Sequence, residues 1–192
     1  GAVMTVQTAY QLISPIIPKY VMAQVVRDSV ILELAPTIIC IVLAAVVGSK
    51  IASELGNMRV SEQIDALEIM GINTKSYLVL PKLISALIMI PCLITIAITL
   101  SITGGFVTGI VTGIMSSEQY TYGLVEGFKA FGILVAMVKA FTFAFIIASV
   151  PAYYGYNVNG EALEIGRSST TSVVVTCIMI LFADYVITML ML

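Results

Sequence analysis

Residues 83–117 read LISALIMIPCLITIAITLSITGGFVTGIVTGIMSS, 35 consecutive uncharged residues between Lys82 and Glu118. A helix that crosses a bilayer needs roughly 20 predominantly apolar residues. The run is too long for one ordinary span and tight for two, so it predicts one long or bent helix, kinked at Pro91. Similar runs flank it. Residues 34–52 form a span with Pro36 in its first turn, where a missing N–H costs little. Residues 130–150 form another, ended by Pro151, and residues 168–192 a last one. Residues 1–13 are uncharged, and Pro15 and Pro18 should stop any helix near Ile13, so this stretch reads as the truncated tail of a first span. The pattern predicts an all-α polytopic membrane bundle of about five transmembrane helices, forming one domain over residues 1–192.

Composition agrees. The chain is 59% hydrophobic and 10% charged, whereas a soluble domain carries about 25% charged residues. A net charge of −2 argues against a nucleic-acid footprint. Cys40, Cys92 and Cys177 sit singly in apolar runs and read as small hydrophobes rather than ligands. With no His, no Gly-rich phosphate loop and no paired carboxylates sharing a helix face at membrane depth, the chain reads as neither an enzyme nor a metal or cofactor binder. It begins at Gly1 without Met, which suggests a true N-terminus upstream.

Orientation follows the lysines and arginines. Lys50, Arg59, Lys75 and Lys82 flank the connection between the second and third spans, which the positive-inside rule places in the cytoplasm. Alternation adds Arg167 to the inner side and leaves Lys19, Arg27 and Lys129 outside.

That connection, residues 53–81, reads SELGNMRVSEQIDALEIMGINTKSYLVLP. Ser61 suits a helix N-cap with Glu62 and Gln63 in the first turn, and Gly71 suits a C-terminal stop. Val60, Ile64, Leu67 and Met70 form an apolar stripe, with Glu62, Asp65 and Glu68 as an acidic one beside it. A helix lying on the inner leaflet is normally basic on its polar face. An acidic one suits docking onto a partner protein better.

Glu54-Leu55-Gly56, Glu62-Gln63-Ile64-Asp65-Ala66-Leu67-Glu68 and Met70-Gly71 resemble the signature of MlaE-type permeases, the membrane subunits of MCE-associated ABC transporters. Gly160 and Gly166-Arg167-Ser168-Ser169-Thr170-Thr171 give a second match, and Leu32-Glu33-Leu34-Ala35-Pro36 a third. Leu32 and Ala35 stand where the family often has Arg and Gly, so a headgroup role for that arginine does not carry over. The family's amphipathic N-terminal helix has no counterpart in the chain.

The resemblance implies a homodimeric permease in the bacterial inner membrane, each copy docking a cytoplasmic ABC ATPase subunit. A periplasmic MCE-domain ring protein would exchange phospholipid with it, although plastid envelopes also hold relatives. The coupling helix would span about 59–70, with Arg59, Glu62, Asp65, Leu67, Glu68 and Met70 at the ATPase.

Charges at bilayer depth are costly and tend to be functional or paired. Lys139 lies near the middle of its span, Glu33 at the outer end of the second, and Asp184 deep in the last. Either Lys139 faces a cavity and attracts a lipid phosphate, or it pairs internally with Glu33 or Asp184. The resemblance places Lys139 in the lipid pocket and Glu33 at its entrance, while Asp184 reads better as a structural partner. Met4, Tyr10 and Leu12 of the first span are candidates to line a tail cavity. Two four-residue stripes of small residues, Ala44/Gly48/Ala52 and Gly105/Gly109/Gly113, allow close helix approach, within one copy or at a dimer seam. The main competing function is an ion-coupled secondary transporter using Lys139 and Asp184. A non-transporting scaffold is a third.

Overall fold

A computed structural model describes residues 1–12, 18–158 and 162–191. The expected stop at Pro15 and the Gly160 of the second motif lie outside these. The described residues contain seven helices: α1 (Ala2–Gln11), α2 (Lys19–Val60), α3 (Gln63–Ile69), α4 (Lys75–Val111), α5 (Ser117–Val125), α6 (Ala130–Tyr156) and α7 (Ala162–Met191). Four of them, α2, α4, α6 and α7, are long and apolar enough to cross a membrane. α1, at 10 residues, is not.

The apolar run places the start of the second span near residue 34, but α2 is already helical at Lys19 and runs 42 residues. Two π-helical turns, Val30–Leu34 and Ala44–Gly48, interrupt its α-helical hydrogen bonding without ending it. α4 opens with another, Lys75–Val79, and continues through Pro91 as a single helix.

Within the one domain that the sequence suggests, contacts gather into two compact units. The first comprises residues 1–36 and 93–137, the second residues 37–92 and 138–192. In the first unit, Ala9, Met22, Ala23, Met115 and Tyr120 form one buried cluster. Val26, Val30 and Ala35 form another, with Met4, Ile98 and Ile102 packed against it. Gly105 and Gly109 lie against Thr5 and Tyr120, and the Tyr120 hydroxyl donates to the Ile102 carbonyl at 3.2 Å. The α5 helix starts in a capping box formed by Ser116 and Gln119.

Arg27 explains why α2 begins so early. Its side chain is buried, and Nη1 donates to the carbonyls of Leu124 (2.8 Å), Glu126 (3.1 Å) and Gly123 (3.3 Å). Nη2 reaches the Gly127 carbonyl at 3.4 Å and Nε the Asp28 carboxylate at 2.8 Å. A charge that the sequence assigns to an outer loop is thus spent on capping the C-terminal end of α5. Residues 19–29 therefore need no solvated connection and join the helix.

In the second unit, Ile51, Leu55 and Ala152 are buried together, with Val47, Leu78 and Val79 against them. The small-residue stripe of α2 is used inside the chain: Gly48 abuts Pro151, and Gly155 abuts the Ala52 backbone. A Cβ on Gly155 would collide with that backbone. The Ser169 hydroxyl donates to the Ser49 carbonyl at 3.1 Å, tying α7 to the same seam.

Candidate functional site

The second unit holds both features that bear on function: the polar elbow between α2 and α4, and an ion pair within the apolar helices.

At the elbow, α2 continues to Val60, so Arg59 and Val60 belong to its end and not to a separate helix over 59–70. Ser61 closes α2 instead of opening the next helix. Its N–H and hydroxyl both donate to the Asn57 carbonyl, at 3.0 and 2.7 Å. Glu62 then takes a left-handed conformation, φ 58°, which turns the chain into the seven-residue α3. The far end is a Schellman motif: Gly71 N–H meets the Glu68 carbonyl (2.9 Å) and Ile72 N–H the Leu67 carbonyl (3.2 Å). This requires positive φ at residue 71, which Gly71 supplies at 79°.

Ile64 is fully buried and fixes α3 to its unit, and Leu67 is half-buried. The acidic stripe is mostly engaged within the chain. Asp65 pairs with Arg59, and Glu68 accepts hydrogen bonds from Tyr156 (2.8 Å) and Thr74 (3.1 Å). Those two bonds to the charged form, Tyr156 first and Thr74 second, hold the Glu68 carboxyl below its ordinary pKa. Below the elbow, Lys82 pairs with Glu54 at 2.7 Å. Asp65 and Glu68 thus have partners within the chain while remaining at its surface. Glu62 is exposed, but the most prominent features are apolar: Ile69 is 87% and Met70 66% exposed.

Lys139, on α6, has no solvent exposure, and its ammonium lies 2.8 Å from Oδ1 of Asp184 on α7. The Asp184 side chain is 16% exposed, and its Oδ2 accepts from the Thr37 hydroxyl of α2 at 3.3 Å. Three helices thus converge on one neutralised pair in an apolar setting, where removing either charge would strand the other. Of the two internal pairings that the sequence leaves open, Lys139 makes the one with Asp184. Glu33 lies in the first π-helical turn of α2, in the other unit. In that same unit Met4 and Leu12 pack against the buried clusters, while Tyr10 is largely exposed.

Sequence reasoning missed Arg27, Thr74 and Tyr156. Arg27 looks like any surface cation, and nothing local marks the carbonyls it caps. Tyr156 lies 88 residues from its carboxylate partner, beyond any helical periodicity.

The family model described as Permease MlaE matches residues 1–190. A probable ABC transporter permease protein of Rickettsia bellii is 36% identical over 188 residues, covering 98% of this chain and 72% of the relative. A probable ABC transporter permease of Rickettsia prowazekii is 35% identical with the same coverage. The chloroplastic protein TRIGALACTOSYLDIACYLGLYCEROL 1 of Arabidopsis thaliana is 32% identical over 155 residues, covering 81% of this chain and 44% of the relative.

Proposed function

The chain belongs to the MlaE permease family, and from that premise we propose that it moves phospholipids between membranes as a homodimer working with an MCE-domain ring protein. Membership itself makes it a multi-pass membrane subunit of an ABC transporter; in this reading a partner chain hydrolyses the ATP. The substrate reading draws support from the chloroplast relative, whose name carries a diacylglycerol lipid. The setting is the inner membrane of a bacterium, with the ring protein on the periplasmic side.

The observation that carries the coupling role is the seat of α3. The helix is pinned at its base by Ile64, Arg59–Asp65 and Glu68–Tyr156, and it presents Ile69 and Met70 outward. A short rigid helix with an apolar tip suits the groove of a motor subunit. Arg59, Asp65, Leu67 and Glu68 act by holding that helix, and Glu62 and Met70 meet the ATPase. In the lipid path, Lys139 exchanges Asp184 for the headgroup phosphate. In the other unit, Glu33 is a lipid contact that this reading takes from the family resemblance, and Met4, Tyr10 and Leu12 are tail contacts that it takes from the sequence.

The test is Ile69→Asp with Met70→Asp in the assembled transporter. Both side chains are exposed, so stability should shift by no more than about 0.5 kcal/mol per site. ATPase co-purification and ATP-driven lipid transfer to acceptor vesicles should fall at least tenfold. Normal assembly and transfer in a correctly folded double variant would refute the coupling role.

A further inference from the structure

A cavity of about 470 Å³ opens between the start of α4 and the end of α6. It lies within the second unit, and neither the lipid path nor the docking tip uses it. One edge is polar, with Lys75, Ser76 and Asn157; beyond it the lining is apolar apart from Ser149, with Leu83 one turn past Val79 and Leu80 along α4. Tyr156 forms part of the wall, and the Lys75 ammonium lies 5.9 Å from its ring centroid. Among the described residues no carboxylate lies within ion-pair distance of Lys75, and Glu68 acts on it only from beyond that distance, so a phosphate that reaches contact would outcompete it.

The layout has a direction. Lys75 is the first residue of a helix long and apolar enough to cross the bilayer, so the polar edge sits at the interface and the apolar edge runs into the hydrocarbon. The volume falls within the roughly 300–1,000 Å³ of small-ligand sites. A cation at the headgroup level above an aliphatic groove is how membrane proteins hold anionic lipids on the cytoplasmic side. We infer that this cavity is a binding site for an anionic phospholipid of the inner leaflet. Its phosphate rests on Lys75, with Ser76 beside it, and an acyl chain lies along Val79, Leu80 and Leu83. The inference rests on the permease reading only for the orientation that puts Lys75 at the inner face.

The chain has no Trp, so a reporter can be introduced. Tyr153 lines the cavity and is largely exposed, which makes Tyr153→Trp a mild change. The assembled transporter, without nucleotide, is placed in phosphatidylcholine nanodiscs containing a small share of brominated phosphatidylglycerol or brominated phosphatidylcholine. Quenching specific to the reporter is taken against the parent protein. Phosphatidylglycerol should quench with about fivefold preference, the worth of one interfacial lysine. Lys75→Ala should erase that preference and Lys75→Arg should keep it. A second reporter, Leu80→Trp, should give the same ranking.

Equal quenching by the two lipids, or a preference that survives Lys75→Ala, overturns the site. So does loss of the preference in inorganic phosphate but not in chloride of matched ionic strength, because the occupant is then free phosphate. The readout needs neither ATP turnover nor an acceptor membrane, so a failure of the transport reading would leave it standing.

Discussion

The Tyr156 hydroxyl donates a 2.8 Å hydrogen bond to the Glu68 carboxylate across 88 residues of sequence, and Thr74 joins the same carboxylate at 3.1 Å. The last turn of α6 thereby grips the short helix α3. The grip depends on charge, because both hydroxyls donate to an ionised acceptor.

That dependence fixes the sign of a pH effect. Glu68 has a folded-state pKa below its unfolded one, so its contribution is fully present above the unfolded value. It is lost as pH falls through the folded value. Protection of residues 63–70 against hydrogen exchange, corrected for the intrinsic rate at each pH, should fall on acidification through and below the ordinary carboxylate range. Tyr156→Phe should move the onset upward, and Glu68→Gln should abolish the step. A step that persists in Glu68→Gln would assign it to another group.

The buried pair makes a stability prediction with two halves. Lys139→Ala or Asp184→Ala alone leaves an uncompensated charge among α2, α6 and α7, and should cost about 3–5 kcal/mol. The double change Lys139→Met with Asp184→Leu should restore most of that, because apolar replacements of a buried pair are often neutral or better. Unfolding of the reconstituted protein gives the first half. Lipid transfer by the double variant gives the second: a stable but inactive permease would locate Lys139 in the transport path, and full activity would make the pair structural only.

What the sequence made legible follows from how local each signal is. The apolar runs of α4, α6 and α7 are continuous and long, and hydropathy alone declares them as helices. Lys139 and Asp184 stood out because charge is rare in such runs. Gly71 was readable as a stop because positive φ there suits Gly. The early start of α2 was not readable, since the carbonyls that Arg27 caps lie 96 to 100 residues away. The Ser61–Glu62 corner was misread for a related reason. Ser favours an N-cap locally, yet its hydroxyl turns back to Asn57 and the helix it serves is the preceding one.

The seam between α2 and α6 has no slack. Gly155 faces the Ala52 backbone so closely that a methyl group there must displace main chain rather than a mobile side chain. Gly155→Ala should destabilise by about 1–3 kcal/mol, the usual range for overpacking, despite the higher helix propensity of Ala. Gly166→Ala, on α7 with open space around the added carbon, should be neutral or stabilising by up to about 1 kcal/mol. Thermal unfolding of the two variants under identical conditions separates steric from propensity effects.

Arg27 supports the sharpest chemical prediction, because its role needs the shape of the group and not only its charge. Guanidinium nitrogens reach four carbonyls and the Asp28 carboxylate at once, and the plane also lies 5.5 Å from the Phe128 ring centroid. An ammonium has one nitrogen and cannot span that fan of acceptors. Arg27→Lys should therefore lose nearly as much as Arg27→Met, about 2–3 kcal/mol, given that hydrogen bonds to charged groups are worth 1.5–3 kcal/mol each and not all are lost. The loss should appear locally, as faster hydrogen exchange at 117–128, while residues 63–70 keep their protection. If Arg27→Lys instead matched the parent protein at 117–128, charge alone would suffice, and the account of why α2 absorbs residues 19–29 would fail.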